Sequence, residues 1–215
     1  MTIVLPFTSA TWESAVVPVR RVLERHGALA LPTETYYGLA VSPTDEWALR
    51  RLQEIKGRPA DKPILVLIGH QDQLASLVAS VPPAAKLLMD RFWPGPLTII
   101  FPAAPALSSL LTAGSGTIGV RLPPVAHLQA LLREVGPLTG TSANRSAEPP
   151  LDRPEDVERL LGQDLDVILD GGRTPGGPAS TLVDTCGPLR VLRPGVVDAN
   201  RLRAALAEQG YILSP

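Results

Sequence analysis

Apolar residues in this chain fall into short runs, and the longer stretches between them mix apolar and polar positions in the manner of amphipathic helices. The short runs predict strands at residues 28–31, 64–68, 97–101, 117–122, 167–169, 181–183 and 190–192, each aliphatic or β-branched and bounded by Gly or Pro. The mixed stretches predict helices over roughly residues 16–26, 45–56, 71–79, 84–92, 125–135, 154–161 and 199–209. Thr44 is the expected N-cap of the second helix, with Gly57 just beyond its end. Pro154 opens the sixth helix in the first turn, where a missing N–H costs nothing. Pro18 leaves the start of the first helix open. Strands alternating with helices indicate an α/β chain. Several connections are too short for parallel crossovers, so the sheet is expected to be mixed. No repeat and no long linker interrupts the pattern, and one domain over residues 1–215 is the expectation.

Composition narrows the class. Hydrophobic residues make up 45% of the 215, enough for a substantial core, and with only nine aromatics that core must be aliphatic. The formal net charge of −1 argues against a protein that coats nucleic acid with its whole surface, but leaves room for a local basic cleft. Cys186 is the single cysteine, which excludes an intramolecular disulfide framework. His26, His70 and His127 are scattered without metal-ligand spacing. The N-terminal segment lacks the pattern of a signal peptide, and no apolar run approaches the roughly 18 residues that span a bilayer. A cytoplasmic protein with no membrane contact is expected.

Candidate chemistry is concentrated in a few segments. Arginine outnumbers lysine seventeen to three, yet two of the lysines, Lys56 and Lys62, flank Arg58 in the Gly/Pro-rich segment IKGRPADKP. Compact ammonium groups in such a loop suit an anionic ligand. No Walker loop or G-x-G-x-x-G is present, so phosphate binding would rest on side-chain cations and hydroxyls. Arg121 ends one predicted strand and Arg193 follows another, at positions that form rigid platforms in α/β sheets; singly, each reads first as a solvated charge or a local salt bridge. Thr139, Thr141, Ser142 and Asn144 offer hydroxyl and amide groups, though Ser, Asn and Pro also favour plain turns. Ser180 and Thr181 begin a strand in PAST, and Thr33, Glu34 and Thr35 lie between Pro32 and Tyr36-Tyr37-Gly38, as a recognition turn or a simple bend. Residues 171–177, GGRTPGG, read as a mobile loop beside a site or as an ordinary surface connection. No nucleophile elbow or Ser-His-Asp order is visible.

Taken in order, LPTETYYGL, KGRPADKP, WPGPLTIIF, GTIGVRLP, TSAN with its Ser-rich continuation, PASTLVD and LRPG resemble the YrdC-type threonylcarbamoyl-AMP synthase family over about residues 27–195. The resemblance implies an open, twisted, mixed α/β sheet with flanking helices, whose concave basic cleft holds ATP and L-threonine. It implies synthesis of threonylcarbamoyl-AMP and pyrophosphate from L-threonine, bicarbonate and ATP, with Mg2+ carried by the nucleotide. A separate tRNA threonylcarbamoyl transferase complex would move the group to the adenosine beside the anticodon, and a weak tRNA contact is expected. Lys56 and Arg58 match the family's K-x-R, and Ser142 and Asn144 its S-x-N. The resemblance gives Lys56 and Arg58 the catalytic role. It assigns Arg58, Lys62, Thr117, Asn144 and Arg193 to ATP, and Thr33, Thr35, Arg121, Ser142 and Ser180 to threonine.

Three positions depart from the family pattern. Tyr36 stands where Val or Leu is usual, Ala147 replaces a turn glycine, and Leu67 occupies a place where some members carry a ligand-facing His. Two further readings compete. One is a non-catalytic module that binds double-stranded RNA or tRNA, which the charge and the scarcity of aromatics disfavour. The other is the carbamoyl-adenylate chemistry of hydrogenase maturation, whose proteins embed such a domain among zinc-binding segments absent from this sequence.

Overall fold

The computed structural model describes residues 2–57 and 62–214. The chain opens with β1 (Ile3–Pro6) and α1 (Trp12–Leu23), then the hairpin β2 (Leu29–Pro32) and β3 (Tyr37–Ala40). Next come α2 (Glu46–Lys56), β4 (Val66–Leu67), a 3-10 turn (Gln71–Ser76), α3 (Pro83–Phe92) and β5 (Leu97–Pro102). The middle continues through α4 (Ser109–Thr112), β6 (Thr117–Arg121), α5 (Ala126–Val135), β7 (Leu138–Thr139) and β8 (Thr141–Ser142). The last third holds α6 (Pro154–Leu161), β9 (Val167–Asp170), β10 (Thr181–Asp184), β11 (Arg190–Arg193) and α7 (Ala199–Ala207).

The strands form two mixed sheets, one ordered β1-β9-β2-β3-β8 and the other β11-β10-β5-β6-β4-β7. In the first sheet β9 pairs parallel with both β1 and β2, while β3 pairs antiparallel with β2 and β8. Both faces of this sheet are covered. Leu29 and Leu31 join the cluster that includes Ala15 and Val19 of α1 and Leu128, Leu131 and Leu132 of α5, while Ala28 and Ala30 join the larger cluster on the other side. Burial on both faces is why the run at 28–31 is continuously apolar rather than alternating.

The sheets meet at Gly140. Leu138 and Thr139 pair in the second sheet, and Thr141 and Ser142 pair in the first, so the chain changes sheets across this one residue. A Cβ on Gly140 would come within 2.5 Å of Leu67 Cγ, which makes the close approach available to glycine alone. Thr139 fastens the crossing, its Oγ1 accepting the Val41 N–H at 3.0 Å, while the Gly140 N–H bonds to the Leu65 carbonyl at 2.9 Å.

Several expectations are corrected. The cap of α2 is Asp45, not Thr44: its carboxylate accepts the N–H groups of Trp47 and Ala48 at 3.0 and 3.1 Å, and the Thr44 hydroxyl is shared with Ser42. The helix expected over 71–79 is only a 3-10 turn, because Val78 and Ala79 leave it to pair with the end of β5. Helix α1 starts at Trp12 and runs through Pro18, held by Ala15 and Val19 in the α1–α5 cluster. Strands β1, β3, β7 and β8 had no expectation. Two of them are two residues long, too short to carry a period.

Candidate active site

A cavity of about 500 Å3 lies between the two sheets, and its walls come from the β2–β3 connection, the residues after position 61, β5, β6, the 140–142 crossing, and the ends of β10 and β11. Arg121 and Gly119 project from β6, Thr98 and Ile100 from β5, and Ser180, Leu182 and Arg193 from the β10–β11 side. Period-two alternation puts Thr117, Gly119 and Arg121 on one face of β6. Gly119 and Arg121 reach the cavity wall. Thr117 lies farther along the strand, outside the lining, and its hydroxyl meets that of Ser115 at 3.0 Å.

The β2–β3 connection is a hydroxyl-braced turn. Thr33 Oγ1 donates to the Tyr36 carbonyl at 2.7 Å and lies 3.2 Å from Thr35 Oγ1. Both threonines are buried and line the cavity. Between them Glu34 reaches across to the other sheet, where its Oε1 accepts from Arg121 Nη1 at 2.6 Å. Glu34 Oε2 and Arg121 Nε are both enclosed, and neither has a hydrogen-bond partner among the described residues. Burial lowers the pKa of Arg121, and Arg193 adds like-charge repulsion, while Glu34 opposes both.

Lys56 is 4% exposed, at the last turn of α2, and stands behind the cavity wall rather than in it. Its ammonium donates to the Ser142 carbonyl at 2.5 Å and to Asn144 Oδ1 at 2.8 Å. Ser142 Oγ donates to the same Asn144 oxygen at 2.6 Å, and Asn144 Nδ2 bonds to the carbonyls of Arg145 and Glu148. Lys56 and Asn144 therefore hold the loop that presents Ser142 to the cavity. Lys62 lines the cavity directly. On the opposite side, Ser180 Oγ lies 2.8 Å from Thr98 Oγ1 and accepts from Arg193 Nη2 at 3.2 Å. Arg193 also donates to the Ser180 carbonyl at 2.9 Å, and burial lowers its pKa. Arg58 lies outside the described residues.

The Sua5/YciO/YrdC family model, described as telomere recombination, matches residues 21–195. The chain belongs to the Sua5/YciO/YrdC family. The threonylcarbamoyl-AMP synthase of Bacillus subtilis (strain 168) is 38% identical over 200 residues, covering 92% of this chain and 58% of that protein. The synthase of Pyrococcus abyssi (strain GE5 / Orsay) is 40% identical over 190 residues, covering 86% of this chain and 55% of its own length. The chain thus spans little more than half of these two curated relatives. A crystal structure of P. abyssi Sua5 complexed with L-threonine superposes with a TM-score of 0.91 at 32% identity, over 100% of this chain and 63% of that one.

Within this Sua5/YciO/YrdC fold, the cavity gathers Thr33, Thr35, Lys62, Arg121, Ser142, Ser180 and Arg193 from sequence segments up to 160 residues apart. Sequence reading missed Glu34 as a partner of Arg121, although it stands between two threonines already singled out. It also missed Thr98, whose one signal is a polar residue inside an otherwise apolar strand. Tyr36 forms part of the cavity wall beside Gly176, and Leu67 is buried in the α1–α5 cluster. Residues 171–177 are pinned: Tyr37 Oη donates to the Gly172 carbonyl at 2.7 Å, and the Gly176 N–H bonds to the Thr35 carbonyl at 2.6 Å. Burial pushes the Tyr37 phenol up, so it serves as a neutral strut. No helix among the described residues is long and apolar enough to cross a membrane.

Proposed function

We propose that the chain makes L-threonylcarbamoyl-AMP and pyrophosphate from L-threonine, bicarbonate and ATP. The observation that carries this reading is the convergence of Arg121, Lys62 and Arg193 with the hydroxyls of Thr33, Thr35, Ser142 and Ser180 on one cavity. The names of the two relatives and the threonine in the P. abyssi structure support it.

The chemistry sets the demand. Threonine's amine takes up CO2 or bicarbonate to give a carbamate, whose oxygen attacks the α-phosphorus of ATP as pyrophosphate leaves. Both reactants are anions, so their repulsion is the first barrier. Fixed cations in a partly enclosed cavity lower it and stabilise the charge that grows at the phosphorus; one such preorganised donor is typically worth about 2.7–4 kcal/mol. Arg121 would take the threonine carboxylate, since a guanidinium matches a carboxylate with two parallel bonds. Thr33, Thr35, Ser142 and Ser180 would surround the amino acid. Lys62 and Arg193, with Arg58, would meet the phosphates, and Thr117 the outer part of the nucleotide. Lys56 and Asn144 would act on the reaction through the Ser142 loop they hold. Holding the carbamate beside the phosphorus adds a proximity term.

Among the described residues, no group of three His, Cys, Asp or Glu could hold a metal, and no carboxylate lines the cavity. Mg2+ would come with the substrate, carried by ATP. The product would pass to a separate transferase that modifies the adenosine beside the tRNA anticodon.

Pyrophosphate release from ATP and bicarbonate, with and without L-threonine and with serine as control, tests the reading. Threonine-dependent release is expected. Folded protein that binds ATP yet releases no pyrophosphate under any of these conditions would overturn it.

A further inference from the structure

Thr98 is a buried hydroxyl inside the otherwise apolar strand β5, and among the described residues it bonds to Ser180 alone, Oγ1 to Oγ at 2.8 Å. Ser180 Oγ also accepts from Arg193 Nη2 at 3.2 Å, since a guanidinium can only donate. One of the two hydroxyls donates to the other, and the second proton then has no partner in the protein. Thr98 is 0% exposed, so an unspent proton there would be an orphaned buried donor, a costly state. Thr98 is therefore the donor, Ser180 Oγ accepts twice, and the proton left over is that of Ser180, which lines the cavity. The neighbouring hydroxyls differ. Thr33 donates to the Tyr36 carbonyl and Ser142 to Asn144 Oδ1; with the Thr33 proton spent, only Thr35 can donate across their 3.2 Å contact. Those three hydroxyls offer the cavity lone pairs, whereas Ser180 offers a proton beside the Arg193 cation.

We infer that Thr98 is a positioning residue: by donating to Ser180 it fixes the Ser180 hydroxyl as a hydrogen-bond donor toward an anionic oxygen of the substrate. Resting on the synthase reading above, the inference places this donor between the hydroxyls given to threonine and the arginine given to the phosphates, where the carbamate oxygen meets the α-phosphorus. Negative charge grows there in the transition state, so a donor held ready acts on turnover more than on ground-state binding. Thr98 does not touch the substrate. Without its hydroxyl, Ser180 keeps Arg193 but its own proton is no longer held in one direction.

A double-mutant cycle on pyrophosphate release distinguishes this role from packing. The kcat, the KM for threonine and for ATP, and the calorimetric Tm are measured for Thr98→Val, Thr98→Ser, Ser180→Ala and the variant carrying both Thr98→Val and Ser180→Ala. Thr98→Val replaces the hydroxyl by a methyl of similar size, and should lower kcat about tenfold or more with both KM values little changed. Thr98→Ser keeps the donor, and should hold kcat within about threefold of wild type. Ser180→Ala removes the group through which Thr98 acts, so adding Thr98→Val to it should cost no further turnover. A double variant whose loss is the product of the two single losses overturns the inference. So does wild-type kcat in Thr98→Val, or Thr98→Ser falling as far as Thr98→Val at equal Tm. Should Thr98→Val not fold, Thr98→Ala takes its place in the same cycle. Wild-type protein that shows no threonine-dependent release overturns the synthase reading itself.

Discussion

Replacing Lys56 by Met tests whether its ammonium serves the site by holding the Ser142–Asn144 loop. The substitution keeps most of the side-chain volume and removes only the charge and its hydrogen bonds. Two of these bonds, to the Ser142 carbonyl at 2.5 Å and to Asn144 Oδ1 at 2.8 Å, are charge-assisted, and Lys56 is 4% exposed. Bonds to charged groups contribute roughly 1.5–3 kcal/mol each. The Asn144 oxygen keeps the Ser142 hydroxyl at 2.6 Å, and Met avoids desolvating an ammonium, so the lower end applies. A loss of about 3 kcal/mol follows, which for a chain of this size lowers Tm by roughly 6–12 °C. Scanning calorimetry reads the stability, and pyrophosphate release at saturating threonine and ATP reads the turnover. Both should fall together, because the carbonyl and amide that fix Ser142 lose their anchor. A variant with wild-type Tm would refute the reasoning. If turnover were lost at unchanged stability, the ammonium would have to act on the substrate directly.

Three other outcomes follow from named contacts. Arg121→Lys keeps a cation beside Glu34 but loses the planar fork, so the threonine KM should rise roughly tenfold or more and the ATP KM little; equal effects would remove Arg121 from the carboxylate role. Ala147 sits at φ 72°, in the left-handed region, next to the Glu148 carbonyl that anchors Asn144. Ala147→Gly should raise stability by about 1 kcal/mol in urea unfolding, and a loss would show that the turn is unstrained. Burial and the neighbouring Asp184 push the Cys186 thiol up to about 11. Its alkylation rate should therefore climb about tenfold per pH unit from pH 8 toward that value, the thiolate being the reactive form, and Asp184→Asn should bring the rise to lower pH; a plateau near pH 9 would contradict this.

Much of this protein is written locally. The helices at 84–92, 125–135 and 154–161 and the strands at 97–101, 117–122 and 167–169 were legible because each buries a face wide enough to impose its period on the sequence. The mixed character of the sheets followed from connection lengths, and the family from seven motifs in order. What short-range pattern could not reveal is where two distant segments meet. Strands of two residues, such as β7 and β8, have no period; they exist because Gly140 lets the chain change sheets against Leu67.

The same limit governs the site. Thr33, Lys62, Arg121, Ser142, Ser180 and Arg193 could be named from residue type and position, because cations and hydroxyls at strand ends are local features. Their partners could not. Only the packing of distant elements against one another decided that Lys56 reaches Ser142 and Asn144, and that Arg121 is met by Glu34 from 87 residues away. Charge and hydrogen-bonding capacity belong to a residue type, and so are readable from the sequence. Whether a charge is paired, buried or turned to a cavity depends on atoms brought together from different elements, which exist as neighbours only once the chain has folded.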